Sequence, residues 1–314
     1  MKTLTSLLTR ATLAVAVLAT LSACDAEFDP GTQVSSLRVL AVQADIPYAH
    51  PGDTVRLQAL SYDPLARPIQ WAWAACPSPA GSSVDDCLAQ VRADAASGQL
   101  AVLAQGQGVD NVEVTIPSDA LDGFPEPARP QALAGVLSIA CPGDLELGDL
   151  GSSLPFRCTD PASGAELDLH DTVVGVKRVF LRESDVNQNP IIERVSFDGE
   201  EWLADDVKQV DACDTDDFIY DDCGSAVRHR IAAVLSEQSF EAGSDEFGHD
   251  FSEEVIVQHY ATDGIFEDEV RIAEDSETGW VARSSSSGTE VSLWFVARDD
   301  RGGVSWTTRR VQVR

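Results

Sequence analysis

With 52 acidic against 22 basic side chains in 314 residues, the chain carries a formal charge of −30. Phosphate backbones are bound by clustered Lys and Arg, so no nucleic acid is expected as a partner, and anionic lipid surfaces are disfavoured for the same reason. The acid excess reads first as a device for solubility, with a divalent cation or a cationic partner as the alternative.

Lys2 and Arg10 precede an uncharged apolar run from Ala11 to Ala23. The run is shorter than the ~20 residues that span a bilayer and ends in small residues, as a cleaved export signal does. It closes with Leu21-Ser22-Ala23-Cys24, which matches the lipobox of bacterial lipoproteins. Residues 1–23 are therefore expected to be a signal peptide, with Cys24 the acylated first residue of the mature chain, anchored in a lipid bilayer. One acyl chain anchors only marginally, so attachment needs the two or three chains of a lipoprotein. The expected address is the cell envelope, at the outer membrane of a diderm bacterium. The inner membrane is the alternative, because Asp25 follows the lipidated Cys. Residues 24–36 read as the lipidated Cys and a short flexible tether.

From Leu37 onward, short alternating apolar segments are divided by Gly, Pro, Asp and Asn. The pattern predicts an all-β chain of two tandem Ig-like Greek-key β-sandwiches. The first covers 37–183 with insertions, a polar linker covers 184–190 (ESDVNQNP from Glu183), and the second covers 191–314. In the first, strands are expected at Leu37 to Ala44, Thr54 to Ser61 and Ile69 to Trp73, the last with Trp71 and Trp73 turned into the core. Leu88, Val91 and Ala95 predict a short helix within Leu88 to Leu103. Strands follow around Val112 to Ile116, Ala134 to Cys141 and Thr172 to Leu181, with a Pro-rich loop before Ala134. In the second, strands are expected at Ile191 to Phe197, Val227 to Leu235, Val255 to Tyr260, Gly279 to Ala282, Val291 to Arg298 and Val304 to Val313. The turn Asp299-Asp300-Arg301-Gly302-Gly303 joins the last two into a hairpin.

Of the 7 cysteines, those after Cys24 form an even set, as in an exported disulfide-bonded protein. They lie in close sequential pairs, predicting Cys76 with Cys87, Cys141 with Cys158, and Cys213 with Cys223. If Ile69 to Cys76 and Ala134 to Cys141 are adjacent antiparallel strands, Cys76 and Cys141 sit at opposite ends and cannot bridge. Zinc is the weaker reading, since no CxxC knuckle is present.

Chemistry-bearing motifs are few. Asp214, Asp216, Asp217, Asp221 and Asp222 crowd the Cys213 to Cys223 loop, and hard cations take clustered carboxylate oxygens. Calcium there competes with a solvated acidic loop, because the glycine and terminal Glu of an EF-hand are missing. His50, His170, His229, His249 and His259 are scattered without metal spacing. No GxSxG, P-loop or GxGxxG occurs, and Ser284 to Ser287 with Gly288 reads as a flexible turn.

The stretch VSLWFVARDDRGGVSWTTRRVQV resembles the last hairpin of bacterial Ig-like and PKD-like surface domains. The lipobox followed by LRVLAVQAD, PGDTVRLQAL, IQWAWAAC, GVKRVFLRES and NPIIERVSFDGE is similar in layout to uncharacterised lipoproteins of myxobacterial type. That resemblance implies tandem Ig-like domains in the envelope and no enzymatic activity. The expected role is a non-enzymatic binding, adhesion or assembly module without a cofactor, whose partner is an envelope protein or glycan. The rivals are an envelope hydrolase built on a carboxylate pair and a calcium-binding surface protein.

Overall fold

The computed structural model describes residues 31–76, 84–148, 154–168, 171–214 and 219–314. The signal segment and Cys24 lie outside these residues, as do His170, Asp216 and Asp217. Thr32–Arg314 forms one compact unit.

The alternating segments pair into two sandwiches of the same design. In the first, β1 (Arg38–Ala44), β3 (Thr54–Tyr62) and β6 (Asn111–Thr115) form a sheet in the order β1-β3-β6. It faces β2 (Tyr48–Ala49), β4 (Gln70–Cys76), β5 (Val102–Gln107), β7 (Leu133–Cys141) and β10 (Val173–Leu181), ordered β2-β10-β7-β4-β5. A small hairpin, β8 (Asp144–Leu147) with β9 (Phe156–Thr159), precedes β10.

The second sandwich has one sheet of β11 (Ile192–Phe197), β12 (Glu200–Glu201), β14 (His229–Leu235), β18 (Ile265–Phe266) and β20 (Thr278–Val281), ordered β12-β11-β14-β20-β18. Opposite it lie β13 (Val207–Val210), β17 (Val255–Ala261), β19 (Val270–Ile272), β21 (Glu290–Asp299) and β22 (Val304–Val313), ordered β13-β22-β21-β17-β19. In both sandwiches a short edge strand, β2 or β13, runs parallel to the last strand of its domain. This recurrence, A-B-E facing A′-G-F-C-C′, is an immunoglobulin-like Greek key.

Strand β4 shows how the sequence divides its faces. Trp71 and Trp73 point between the sheets and stack at 5.5 Å between ring centroids, and the Trp73 indole donates to the carbonyl of Val109 at 2.8 Å. Ala72 and Ala74 point the other way and are also buried, because a helix lies on them. That helix, α1 (Val84–Ser97), begins ahead of the stretch Leu88 to Leu103 in which a short helix was expected and ends inside it. Cys87 and Val91, one turn apart, bury against the sheet, and Asp85 and Asp86 sit in its first turn, where the helix dipole favours negative charge. Gly98 at φ +70° ends it, and Val102 and Leu103 join β5 instead, where the edge of β4 offers backbone partners.

The two sandwiches share a buried seam. Leu40 is a bulge in β1, where the register against β3 shifts between Val39 and Ala41. The bulge turns two consecutive residues outward: Leu40 packs with Val34 and Trp294, and Ala41 with Val296 and Val304. Tyr62 adds its ring to Trp294 at 4.9 Å. Thus β21 is buried on both faces, with Val291, Leu293, Phe295 and Ala297 in the core of the second sandwich and Trp294 and Val296 against the first. Gln43 donates to the carbonyl of Val304 at 2.6 Å, and Arg298 to that of Leu40 at 2.6 Å.

The tether, expected to be flexible, and the polar linker are both held here. Residues 32–34 of the tether lie along β17, with Val34 N–H donating to Ala261 O at 2.8 Å and Ala261 N–H to Thr32 O at 3.0 Å. Burial of Val34 in the seam explains the docking. In the linker, Asn189 donates to Ala44 O and accepts from Val304 N–H, both at 2.8 Å. The Glu246 carboxylate accepts from the backbone N–H groups of Glu183, Ser184 and Asp185. These bonds outweigh burial and hold its pKa below the ordinary glutamate value.

Trp294→Ala should lower the unfolding free energy in urea by about 3–5 kcal/mol. In hydrogen exchange, residues 32–36 and 184–190 should lose protection before either sandwich core does. A loss below about 1 kcal/mol, or uniform deprotection, would contradict this account of the seam.

Candidate functional site

The first sandwich opposes three strands to five, so its smaller sheet cannot cover the larger one to the β5 edge. The chain from the end of β6 to the start of β7 crosses the gap as a run of turns. Ala120 N–H bonds Pro117 O, Asp122 N–H bonds Asp119 O, and Phe124 N–H bonds Leu121 O; Ala128 N–H bonds Pro125 O and Ala132 N–H bonds Arg129 O. Prolines punctuate this run, because they fix turn geometry and have no N–H to satisfy. Leu121 and Ala132 anchor it in the core.

Beside it, at an end of the sandwich, lies a cavity of about 730 Å³ lined from both sheets and from the turns. Leu103 of β5, Ile116 beyond β6, Ala120 and Phe124 of the turns, Leu133 of β7 and Leu181 of β10 line it. Among the described residues of the lining none is ionisable, and Thr115 brings the one hydroxyl. Arg129, next in sequence to the lining residue Ala128, is ion-paired with Glu183. A concave apolar space of this volume lies within the usual range of small-molecule sites, roughly 300–1,000 Å³.

Beside the link, the turn between β21 and β22 inserts Arg301 into a largely buried charge cluster. Its Nη1 meets Glu241 Oε2 and Glu253 Oε1, each at 3.1 Å, and its Nη2 donates to Val186 O at 3.0 Å. Its Nε donates to the Tyr48 hydroxyl at 3.3 Å, while the guanidinium lies 3.9 Å from the Phe251 ring centroid. Glu241 and Glu253 flank the hairpin of β15 (Ala242–Ser244) and β16 (Asp250–Ser252), an insertion between β14 and β17. Burial, joined by repulsion from Asp299 and Glu241, pushes Glu253 up to about 7. Burial likewise raises Asp299, whose Oδ1 accepts from the N–H groups of Arg301 and Gly303. Lys177 of β10, donating to Gly302 O at 2.9 Å, is brought down to about 8 by burial and then by Arg298.

The cysteines bridge as Cys76–Cys87, Cys141–Cys158 and Cys213–Cys223, with Cα separations of 5.5, 5.8 and 5.6 Å. The first ties α1 to β4, the second ties β7 to β9, and the third closes the acidic loop. In that loop Asp221 pairs with Arg228 at 3.0 Å and Asp222 accepts from Ile219 N–H at 3.1 Å. Asp214 is exposed, and Asp216 and Asp217 lie outside the described residues. Among the described residues no three His, Cys, Asp or Glu side chains are grouped to hold a metal ion.

Asp45, His50 and Asp53 line a second cleft. Asp45 accepts from Arg56 N–H, and Asp53 from His50 N–H, both at 2.8 Å, so both carboxylates serve turns. His229 contacts Asp198 at 2.8 Å and His249 contacts Asp245 at 3.2 Å. His259 is fully buried in β17 between Phe266 and Phe295, and burial brings it down to about 4. The serine run is not the flexible turn expected from its composition. Ser284–Ser286 forms a helical turn in which Ser286 is buried and hydrogen-bonded to Asp263.

Neither the cavity nor the Arg301 cluster was singled out in the sequence. The run of small residues between prolines, Ala120, Gly123 and Ala128, was the available signal for the cavity. Arg301 gave none, since Glu253, Glu241 and Tyr48 lie 48, 60 and 253 residues away.

No protein-family model and no curated protein matches the chain. Solved structures that it resembles include a nucleoside hydrolase-related hypothetical protein from Saccharophagus degradans associated with carbohydrate metabolism. The identity is 13% and the TM-score 0.24, over 42% of this chain and 27% of that one. Tandem Ig repeats of Dlar align at 8% identity and TM-score 0.26, over 88% of this chain and 97% of theirs. Three N-terminal domains of the highly immunogenic outer capsid protein of bacteriophage RB49 align at 9% and 0.23, over 89% and 70%. Likenesses this distant carry no argument about function, and the sandwich architecture rests on the strand pairing described above.

Glu253, raised in the folded state, binds its proton more tightly there than in the unfolded chain. Its contribution is present below about pH 4.5 and is lost as pH rises to about 7. His259 acts oppositely, and its contribution is lost as pH falls from about 6.5 to about 4. Between pH 5 and 7.5, Glu253→Gln should therefore gain stability relative to wild type, by on the order of 1–3 kcal/mol. Parallel urea curves for the two proteins across that range would remove the buried-acid assignment.

Proposed function

We propose that the chain is a non-enzymatic binding module of the bacterial cell envelope, anchored by an acylated Cys24 and presenting the first sandwich's cavity to a small ligand. The observation that carries this reading is the cavity itself, 730 Å³ in volume, whose described lining offers apolar surface and no acid, base or nucleophile. Catalysis by a carboxylate pair needs two converging acids, and the cavity's described lining brings none.

The lipobox Leu21-Ser22-Ala23-Cys24 supports the anchorage, and we place the chain at the outer membrane of a diderm cell, with Asp25 favouring the inner membrane as the alternative. Among the described residues no helix is long and apolar enough to cross a bilayer. The seam between the sandwiches would give the anchored module a fixed shape, since the two domains bury apolar side chains against each other.

Intact-mass analysis of protein from native membranes should show loss of residues 1–23 and a diacylglyceryl adduct on Cys24, and Cys24→Ala should leave the membrane fraction. A retained leader or an unmodified thiol would overturn the anchorage. The uncharged fluorophore N-phenyl-1-naphthylamine should bind saturably at one site per chain; absence of binding would remove the cavity as the functional site. Chelation with EDTA should leave the melting midpoint unchanged, because Asp221 and Asp222 of the acidic loop are engaged within the fold; a drop would revive the calcium reading.

A further inference from the structure

We infer that the cavity of the first sandwich takes a thin, uncharged hydrocarbon, the alkyl chain of a neutral amphiphile. The inference rests on the reading of that cavity as the binding site and names the class of ligand.

Three features of the lining select this chemistry. The first is charge. No ionisable side chain stands among its described residues, and Arg129, adjoining it in sequence, is already held by Glu183. A buried ion without a partner is strongly disfavoured, and the chain's formal charge of −30 further opposes an anion. The second is hydrogen bonding. In the turns beside the cavity, the N–H groups of Ala120, Asp122, Phe124, Ala128 and Ala132 are bonded to carbonyls of the same run, and Thr115 brings the one hydroxyl of the described lining. A ligand rich in hydroxyls would exchange good water contacts for few partners, which disfavours a sugar.

The third feature is shape. The cavity is lined from both sheets, whose facing backbones in a sandwich stack about 10 Å apart. Ile116 extends from one sheet, Leu103, Leu133 and Leu181 belong to the other, and Phe124 comes from the turns. A slot bounded this way suits a chain one methylene thick. Small residues widen it on the turn side: Ala120, Gly123 and Ala128 all face it. Nothing lies within 4 Å of a Cβ built on Gly123, and its φ is not in the left-handed region, so a side chain there would enter open space without straining the backbone.

The full chain, with N-phenyl-1-naphthylamine bound, would be titrated with dodecanol, dodecanoate and dodecyltrimethylammonium below their micelle concentrations. Dodecanol should displace the probe at a concentration at least about tenfold lower than either charged analogue, a difference of about 1.4 kcal/mol. Gly123→Phe and Ala128→Trp should each weaken dodecanol at least about tenfold while melting within a few degrees of wild type. If one variant fails to fold, the other carries the test. Equal displacement by a charged analogue, or a folded Gly123→Phe protein with unchanged dodecanol affinity, would overturn the ligand class while leaving the cavity as a binding site. A probe that never binds would overturn both.

Discussion

The contact on which the rest of this structure depends is the outward packing of β21 on β1. A sandwich strand usually buries one face and wets the other, but Trp294 and Val296 leave β21 no wet face at its centre. The bulge at Leu40 is what makes the match possible, since one extra residue in β1 turns two apolar side chains toward the second domain instead of one. Once these faces meet, tether residues 32–34 and the linker have a surface to bind, and their backbone groups are satisfied there instead of by water. Tandem sandwiches joined by a polar linker would otherwise be expected to move against each other.

The charge cluster follows from that seam. Closing the domains places the β21–β22 turn beside Tyr48 and under the β15–β16 insertion, where Arg301 enters with Glu241 and Glu253 around it. Removing such groups from water is costly, and a pair of this kind contributes less to stability than to fixing one arrangement. The arrangement here is the register of the hairpin turn against the first sandwich. With Asp299 also buried nearby, carboxylates outnumber the guanidinium, and Glu253 answers by keeping its proton to about pH 7.

The cavity has an independent origin in the unequal widths of the two sheets of the first domain. The second domain opposes five strands to five and fills its interior with Trp202, Trp280 and Phe295, whereas the first opposes three to five. Helix α1, clamped by the Cys76–Cys87 bridge, covers the outer face of the wide sheet. The inner face near β5 is left to a Pro-punctuated run of turns, which covers an end of the sandwich without filling it. A binding surface located in connections on a rigid sandwich is where this architecture commonly carries specificity.

Period-two alternation, turn residues and cysteine spacing act over neighbouring residues, so the all-β class, most core strands and the tryptophans of β4 were legible in the sequence. The same locality limited it. Trp294 and Val296 make the second face of Val291 to Arg298 apolar as well, yet what covers that face could not be read locally, because the partner of Trp294 is Leu40, far away in the chain. The start of α1 was placed late because Leu88, Val91 and Ala95 carry its apolar spacing, whereas Val84 to Cys87 join the helix where the Cys76–Cys87 bridge ties it to β4. Ser286 and Val34 fall in segments that read as flexible from composition, yet each is buried by a distant partner. The cavity belongs to this second group too: a void is made by what the surrounding strands fail to cover, and no residue in the chain encodes it alone.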